Sequence, residues 1–132
     1  MRVLLTLLLS VLVLTGCNLD ESTTSTPIPT PDIPVVEFVY PERGARVIEG
    51  AELKIDLVAR DDTVGIRRIE LYLNGQLLNT AEPPNAPVES VFRVEMNWFA
   101  SVAATHVLSA IAYRPDGTRS DEAFLDIEVI AP

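Results

Sequence analysis

The chain has 132 residues, with ten Lys or Arg, nineteen Asp or Glu, one His and one Cys, a formal net charge of −9 and 48% hydrophobic residues. One Cys leaves no intramolecular disulfide and no cysteine-based zinc cluster, and one His rules out a two-histidine zinc site within a chain. A single Lys in so acidic a chain argues against nucleic acid, where affinity comes mainly from cations meeting phosphates; the length admits one domain, with or without a tail.

Residues 1–16 read as a secretion signal. Arg2 is the only charge, and Val3 to Leu14 is an apolar run broken by Thr6 and Ser10. Twelve residues rise roughly 18 Å as a helix, short of the ~30 Å hydrocarbon core, so the run suits a signal-peptide core better than a transmembrane helix. A buried helix of the folded domain is the plain alternative. Against it, the run is apolar on all faces and begins at Met1.

The run ends Leu14-Thr15-Gly16-Cys17. This resembles the bacterial lipobox, a Leu and two small residues before an invariant Cys. Small residues let an extended chain enter a peptidase site, and the thiol is the nucleophile that carries a diacylglyceryl thioether. The resemblance implies cleavage between Gly16 and Cys17, lipidation of Cys17, and anchoring through several acyl chains at ~0.8 kcal/mol per buried CH2. An ordinary signal peptide with an incidental Cys is the alternative. Asn18 stands where an Asp resembles an inner-membrane retention signal in two-membrane bacteria. The expected location is the extracytoplasmic side of the cell membrane or the outer membrane.

Residues 17–34 then form a tether that starts at the lipidated Cys17. Asn18 to Pro34 is rich in Pro and Thr and has only Leu19, Ile28 and Ile33 as large apolar residues. Such a composition buries too little surface to offset its ordering entropy, so a disordered linker is expected. Pro-x-Pro spacing favours polyproline II at ~3.1 Å per residue, a reach of up to ~50 Å. A plain spacer is the simplest role. A Pro-motif ligand or an O-glycosylated stalk are the alternatives.

From 35 to 132 the pattern changes to period two. Leu53, Ile55, Leu57 and Ala59 alternate with Glu52, Lys54, Asp56 and Val58; Ile69, Leu71 and Leu73 with Arg68, Glu70 and Tyr72; Phe92, Val94, Met96 and Trp98 with Arg93, Glu95 and Asn97; Leu125, Ile127 and Val129 with Asp126 and Glu128. Alternation puts one set into a core and the other into solvent. Turn signals separate the runs: Pro41 to Gly44, Glu49-Gly50, Asp61 to Gly65, Pro83 to Pro87 and Pro115 to Gly117. Asn74-Gly75 is a two-residue hairpin signal, since both residues tolerate positive φ. Phe99 to Ala104 is the one stretch with helical character. About seven short strands with frequent turns predict an all-β, immunoglobulin-like sandwich.

Pro41 to Ala45, Ala59 to Gly75 and Thr105 to Ala112 together resemble the bacterial Ig-like domain of surface and secreted proteins, with its Pro-x-x-Gly turn, Ala-x-Asp strand end, Val-Glu-Leu-Tyr-Val-Asp-Gly hairpin and Thr-His-x-Leu-x-Ala-x-Ala strand. The resemblance covers residues 35–130 and implies an Ig-like sandwich. Ala104 replaces the usual Gly before Thr-His, Met96 the usual Trp, and Arg114 an Asp that often follows the last Ala; the last change counts against carrying over a metal-like site.

No nucleophile–base pair, phosphate loop or metal motif appears, so neither enzymatic activity nor a cofactor is expected. The resemblance puts His106 at a strand start beside Leu108 and Ala110, as a structural histidine bonded to neighbouring backbone. Asp61 and Asp62 are the weak calcium candidates, against a reading as solvated turn carboxylates with Asp61 bonding local amides. Alternation sends Trp98 inward and leaves Phe99 exposed, with Tyr72 on an outward face beside Arg68 and Glu70. Tyr72, Phe99 and Arg68 are therefore the candidate binding surface. The first expectation is a non-catalytic, lipid-anchored envelope module for protein binding or adhesion, attached to the membrane through Cys17. A carbohydrate-binding lipoprotein using Tyr72 and Phe99 is the alternative. A protease inhibitor acting through loops 61–65, 83–87 and 114–118 is the third reading. The partner class is a protein or a glycan of the envelope, not nucleic acid.

Overall fold

The computed structural model describes residues 27–132; Gly16, Cys17 and residues 18–26 of the tether lie outside the described residues. Eight strands form among them: β1 (Val35–Tyr40), β2 (Arg46–Ile48), β3 (Glu52–Arg60), β4 (Arg68–Leu73), β5 (Gln76–Ala81), β6 (Val91–Phe99), β7 (Thr105–Tyr113) and β8 (Ala123–Ile130). They make two sheets, β1-β3-β6 and β2-β8-β7-β4-β5. All pairings are antiparallel except β2 with β8.

The alternation read from the sequence builds the core. Ile55 and Leu57 of β3 face Ile69 and Leu71 of β4, Leu108 of β7 and Ile127 of β8, and each of these side chains is fully buried. Each contributes roughly 2 kcal/mol by leaving water. Met96 and Trp98 point inward as expected. Val58, on the expected solvent set, is also buried. β3 is the central strand of its sheet, and Val58 sits between Glu37 and Arg93 on its two neighbours.

The helical character of Phe99 to Ala104 is not realised. Phe99 ends β6, and Ala100 is held across from the β3 entry, donating to Ala51 O at 3.0 Å and accepting from Gly50 N at 2.7 Å. Both backbone groups are thereby withdrawn from any helical turn. The compact unit runs from Pro31 to Pro132, so four residues assigned by composition to the tether belong to the folded body. Pro34 is fully buried, and Asp32 carries an ion pair.

Asn74-Gly75 forms the β4–β5 turn with φ of 51° and 81°. The Asn74 side chain also ties the turn to β7: its Oδ1 accepts from Val107 N at 2.9 Å, and its Nδ2 donates to His106 Nδ1 at 3.0 Å. That leaves His106 Nε2 as the N–H donor to Val102 O at 2.9 Å. With its ring edge-on to Trp98, centroids 5.2 Å apart, the lone histidine is a structural tie between hairpin, β7 and core.

Candidate functional site

The outer face of the five-stranded sheet carries the first constellation. Period two turns Arg68, Glu70 and Tyr72 away from the core while Ile69 and Leu71 fill it. Arg68 Nε donates to Glu70 Oε1 at 2.8 Å, and Tyr72 Oη donates to Glu70 Oε2 at 2.6 Å. The Arg68 guanidinium lies 3.9 Å from the centre of the Tyr113 ring on the neighbouring strand, a cation–π contact. Burial works against the Glu70 charge, but the hydroxyls of Tyr72 and Tyr113 and the Arg68 guanidinium outweigh it and hold the carboxyl below its usual range. Tyr72 is pushed well above the usual tyrosine range, first by its hydrogen bond to Glu70 and then by burial. The phenol is a fixed donor, not a base.

The strand register extends this face into a row. Leu77 of β5 sits opposite Tyr72, Tyr72 opposite Ser109 of β7, and Ser109 opposite Phe124 of β8. Leu77 and Phe124 are more than half exposed, while Ser109 is buried between them. Two strand spacings separate Tyr72 from Phe124, about 10 Å. Of the three expected surface residues, the structure brings Arg68 and Tyr72 together and sets Phe99 apart. Phe99 is exposed, but it ends β6 in the other sheet, opposite Glu52. The aromatic that shares the face with Tyr72 is Phe124. The sequence placed Leu125 in the core alternation, so Phe124 could have been found as its outward neighbour once the order β4-β7-β8 was known.

The second constellation ties the loops at one end of the sandwich. Arg114 and Asp61 are both buried. Arg114 Nε donates to Asp61 Oδ2 at 2.5 Å; one terminal nitrogen reaches Asp61 Oδ1 at 3.0 Å, Asp32 Oδ1 at 2.8 Å and Thr63 Oγ1 at 2.8 Å. Asp61 Oδ1 also accepts from Thr63 N at 3.2 Å, within the turn expected of it. The Arg114 bond, followed by those from Thr63 and Val64, holds the Asp61 carboxyl far below its usual range against the cost of burial. The 83–87 loop closes on the same end, where Arg67 Nη1 donates to Pro87 O at 3.5 Å.

The two calcium candidates are placed differently. Asp61 already has a cation, the guanidinium of Arg114. Asp62 is exposed beside it, and among the described residues no group of three or more His, Cys, Asp or Glu is placed to hold a metal ion. The sequence reading missed Arg114 as a partner because the two residues are 53 positions apart; the departure at that position was the available signal.

The family model of the bacterial Ig domain matches residues 34–110. A search of curated proteins finds no match. Among solved structures, the fibronectin(III)-like modules of CbhA from Clostridium thermocellum are 23% identical at a TM-score of 0.56, covering 74% of this chain and 98% of that one. A CARDB domain from Pyrococcus furiosus, solved in complex with di-metal ions, is 14% identical at 0.56, covering 79% and 100%. The SrpA adhesin of Streptococcus sanguinis is 19% identical at 0.55, covering 77% and 59%. Likenesses at these identities establish the fold.

Proposed function

The chain belongs to the bacterial Ig domain family, and from that membership we propose that it is a non-catalytic, lipid-anchored module on the extracytoplasmic side of the cell envelope that binds a protein partner. The observation that carries the binding reading is a contrast. Both polar constellations are closed on themselves, Arg114 on Asp61 and Asp32 and Arg68 and Tyr72 on Glu70, while Leu77 and Phe124 stand exposed on the outer sheet face. Ionisable groups spent on one another are not available for acid–base chemistry, and exposed apolar side chains gathered on one face mark interaction surfaces. The anchor rests on Leu14-Thr15-Gly16-Cys17 and the Pro/Thr-rich spacer, which hold the domain off the lipid surface.

Two measurements test this. Mass spectrometry of the mature chain is expected to find acylated Cys17 at the N-terminus; a retained Met1 or a free thiol overturns the anchor. Cross-linking in intact envelopes is expected to give a protein adduct that Leu77→Glu reduces at least about tenfold; an adduct unchanged by Leu77→Glu and Tyr72→Ala removes this face. The Tyr72–Phe124 spacing supports a second reading, a glycan platform, because aromatic faces stack on sugar rings. It requires polysaccharide binding that Phe124→Ala abolishes and Phe99→Ala leaves intact.

A further inference from the structure

Strand β8 is covered unequally on its two sides. Along β7 it is paired from Ala123 to Glu128, but β2 pairs only Glu128 to Ile130. On the β2 side, Glu128 N donates to Ala45 O and Ile130 O accepts from Glu49 N. Backbone groups switch sides at each residue of a strand. Asp126 and Phe124 therefore turn their N–H and C=O to the β2 side, where no strand pairs with them among the described residues. The cause is the path of the chain. The β1 register breaks between Phe38 and Tyr40, the chain crosses to the other sheet, and it meets β8 only at Arg46.

The space left by that crossing is a groove of about 420 Å³. Val36, Phe38, Pro41, Ala123, Phe124 and Leu125 give it an apolar lining. Its surroundings are acidic. Glu42 lines it, Asp121 and Glu122 directly precede Ala123, and Asp126 follows Leu125. Among the described residues no ion pair engages any of these four carboxylates, and Arg43 is the one cation in the lining.

We propose that this groove binds an extended cationic segment of a partner protein, added as a strand beside the open half of β8. The proposal rests on the binding-module reading and adds to it a second contact, at the sheet edge beside Phe124. Backbone groups of Phe124 and Asp126 supply the ladder, which is how strand addition obtains its affinity. Alternate side chains of the incoming strand face opposite ways. One set meets Val36, Phe38 and Leu125 and is apolar; the other meets Asp126 and its neighbours and is Lys or Arg. Charge decides against the other occupants. The chain's own tether carries Asp20 and Glu21 and no cation, and a second copy brings a net charge of −9.

The test uses the full chain with a capped hexapeptide of alternating Val and Lys. Its Glu-for-Lys counterpart and a version N-methylated on the strand edge that faces β8 are the controls. Amide NMR is expected to shift Phe124 and Asp126 first, with both controls at least about tenfold weaker. Glu122→Lys together with Asp126→Lys, both at exposed positions where the fold is not at stake, is expected to reverse the preference toward the Glu peptide. Equal binding of the N-methylated peptide, an unchanged preference in the charge-reversed variant, shifts centred on β5, or no shift at millimolar peptide each overturns the assignment. If the peptide fails while Leu77→Glu still abolishes the envelope adduct, the groove falls and the binding module stands.

Discussion

Gly65 offers the sharpest test of how the buried-ion loop is built. It sits at φ 95°, a conformation side chains rarely adopt, and a Cβ there would meet Val88 Cγ1 at 2.4 Å and Glu89 O at 3.3 Å. The Glu89 backbone cannot retreat freely, because it exchanges hydrogen bonds of 2.7 and 3.1 Å with Ile66. Gly75 has a similar φ of 81° with nothing within 4 Å of a Cβ. Backbone strain alone costs roughly 1–2 kcal/mol for a side chain at such φ. Gly75→Ala should therefore cost about 1 kcal/mol. Gly65→Ala adds the displacement of Val88, about 2 kcal/mol more, for a total near 3 kcal/mol. In a domain of this size that lowers Tm by roughly 12–20 °C. Urea titration is the assay, with Cm falling at constant m. Val88→Ala in the Gly65→Ala background should recover the steric part and leave the strain. The reasoning fails if the two glycine variants cost the same, or if removing the Val88 methyls recovers nothing.

Leu71, fully buried at the centre of the core, should cost about 3 kcal/mol on replacement by Ala, read as a lower Cm; a change under 1 kcal/mol would mean the two sheets are not packed through it. Because Asp61 is held below its ordinary value of 3.8 in the folded state, its contribution is full above that pH and is lost as pH falls further. Wild type should thus lose stability below about pH 4 more steeply than Asp61→Asn, although Asp56, Glu70 and Asp116 are shifted the same way and keep some slope in the variant. Parallel stability–pH curves for the two proteins would refute the role given to Asp61. Glu70→Gln should bring Tyr72 down toward ordinary tyrosine titration, since its hydrogen bond to Glu70 is the leading cause of the upward shift; ultraviolet titration of the three tyrosines reads this, and no change in the highest-titrating one contradicts the geometry.

What the sequence made legible follows from what a strand's neighbours require. β3, β4, β6 and β8 each bury one alternating set of residues more deeply than the other, so their alternation was readable almost residue by residue. β5 (Gln76–Ala81) is exposed along nearly its whole length; with no buried set there is no period, and only the Asn74-Gly75 turn signalled it. Val58 escaped for the opposite reason. It lies on the central strand between residues of both neighbours, a property of sheet order that no single strand carries. The site divides the same way. Arg68 and Tyr72 share one strand, and spacing alone put them on one face. Phe124 joined them, and Phe99 left them, only through the order β4-β7-β8 and the assignment of β6 to the other sheet.

The Arg114–Asp61 pair and the β8 groove show how such non-local consequences bear on function. A buried carboxylate must be paired, and here the partner is a guanidinium supplied from the other side of the loop end. That choice completes the loop end from within the chain. The groove is the complementary case. Where the chain leaves β1 for the other sheet, the backbone of β8 is left without a strand on its β2 side over the stretch Phe124 to Asp126, and unpaired backbone at a strand edge invites another chain. Negative charge at Asp121, Glu122 and Asp126 then acts as a filter. In the proposed strand addition it would repel acidic chains, including copies of this one, and admit a cationic strand, so one feature would disfavour self-pairing and select a partner.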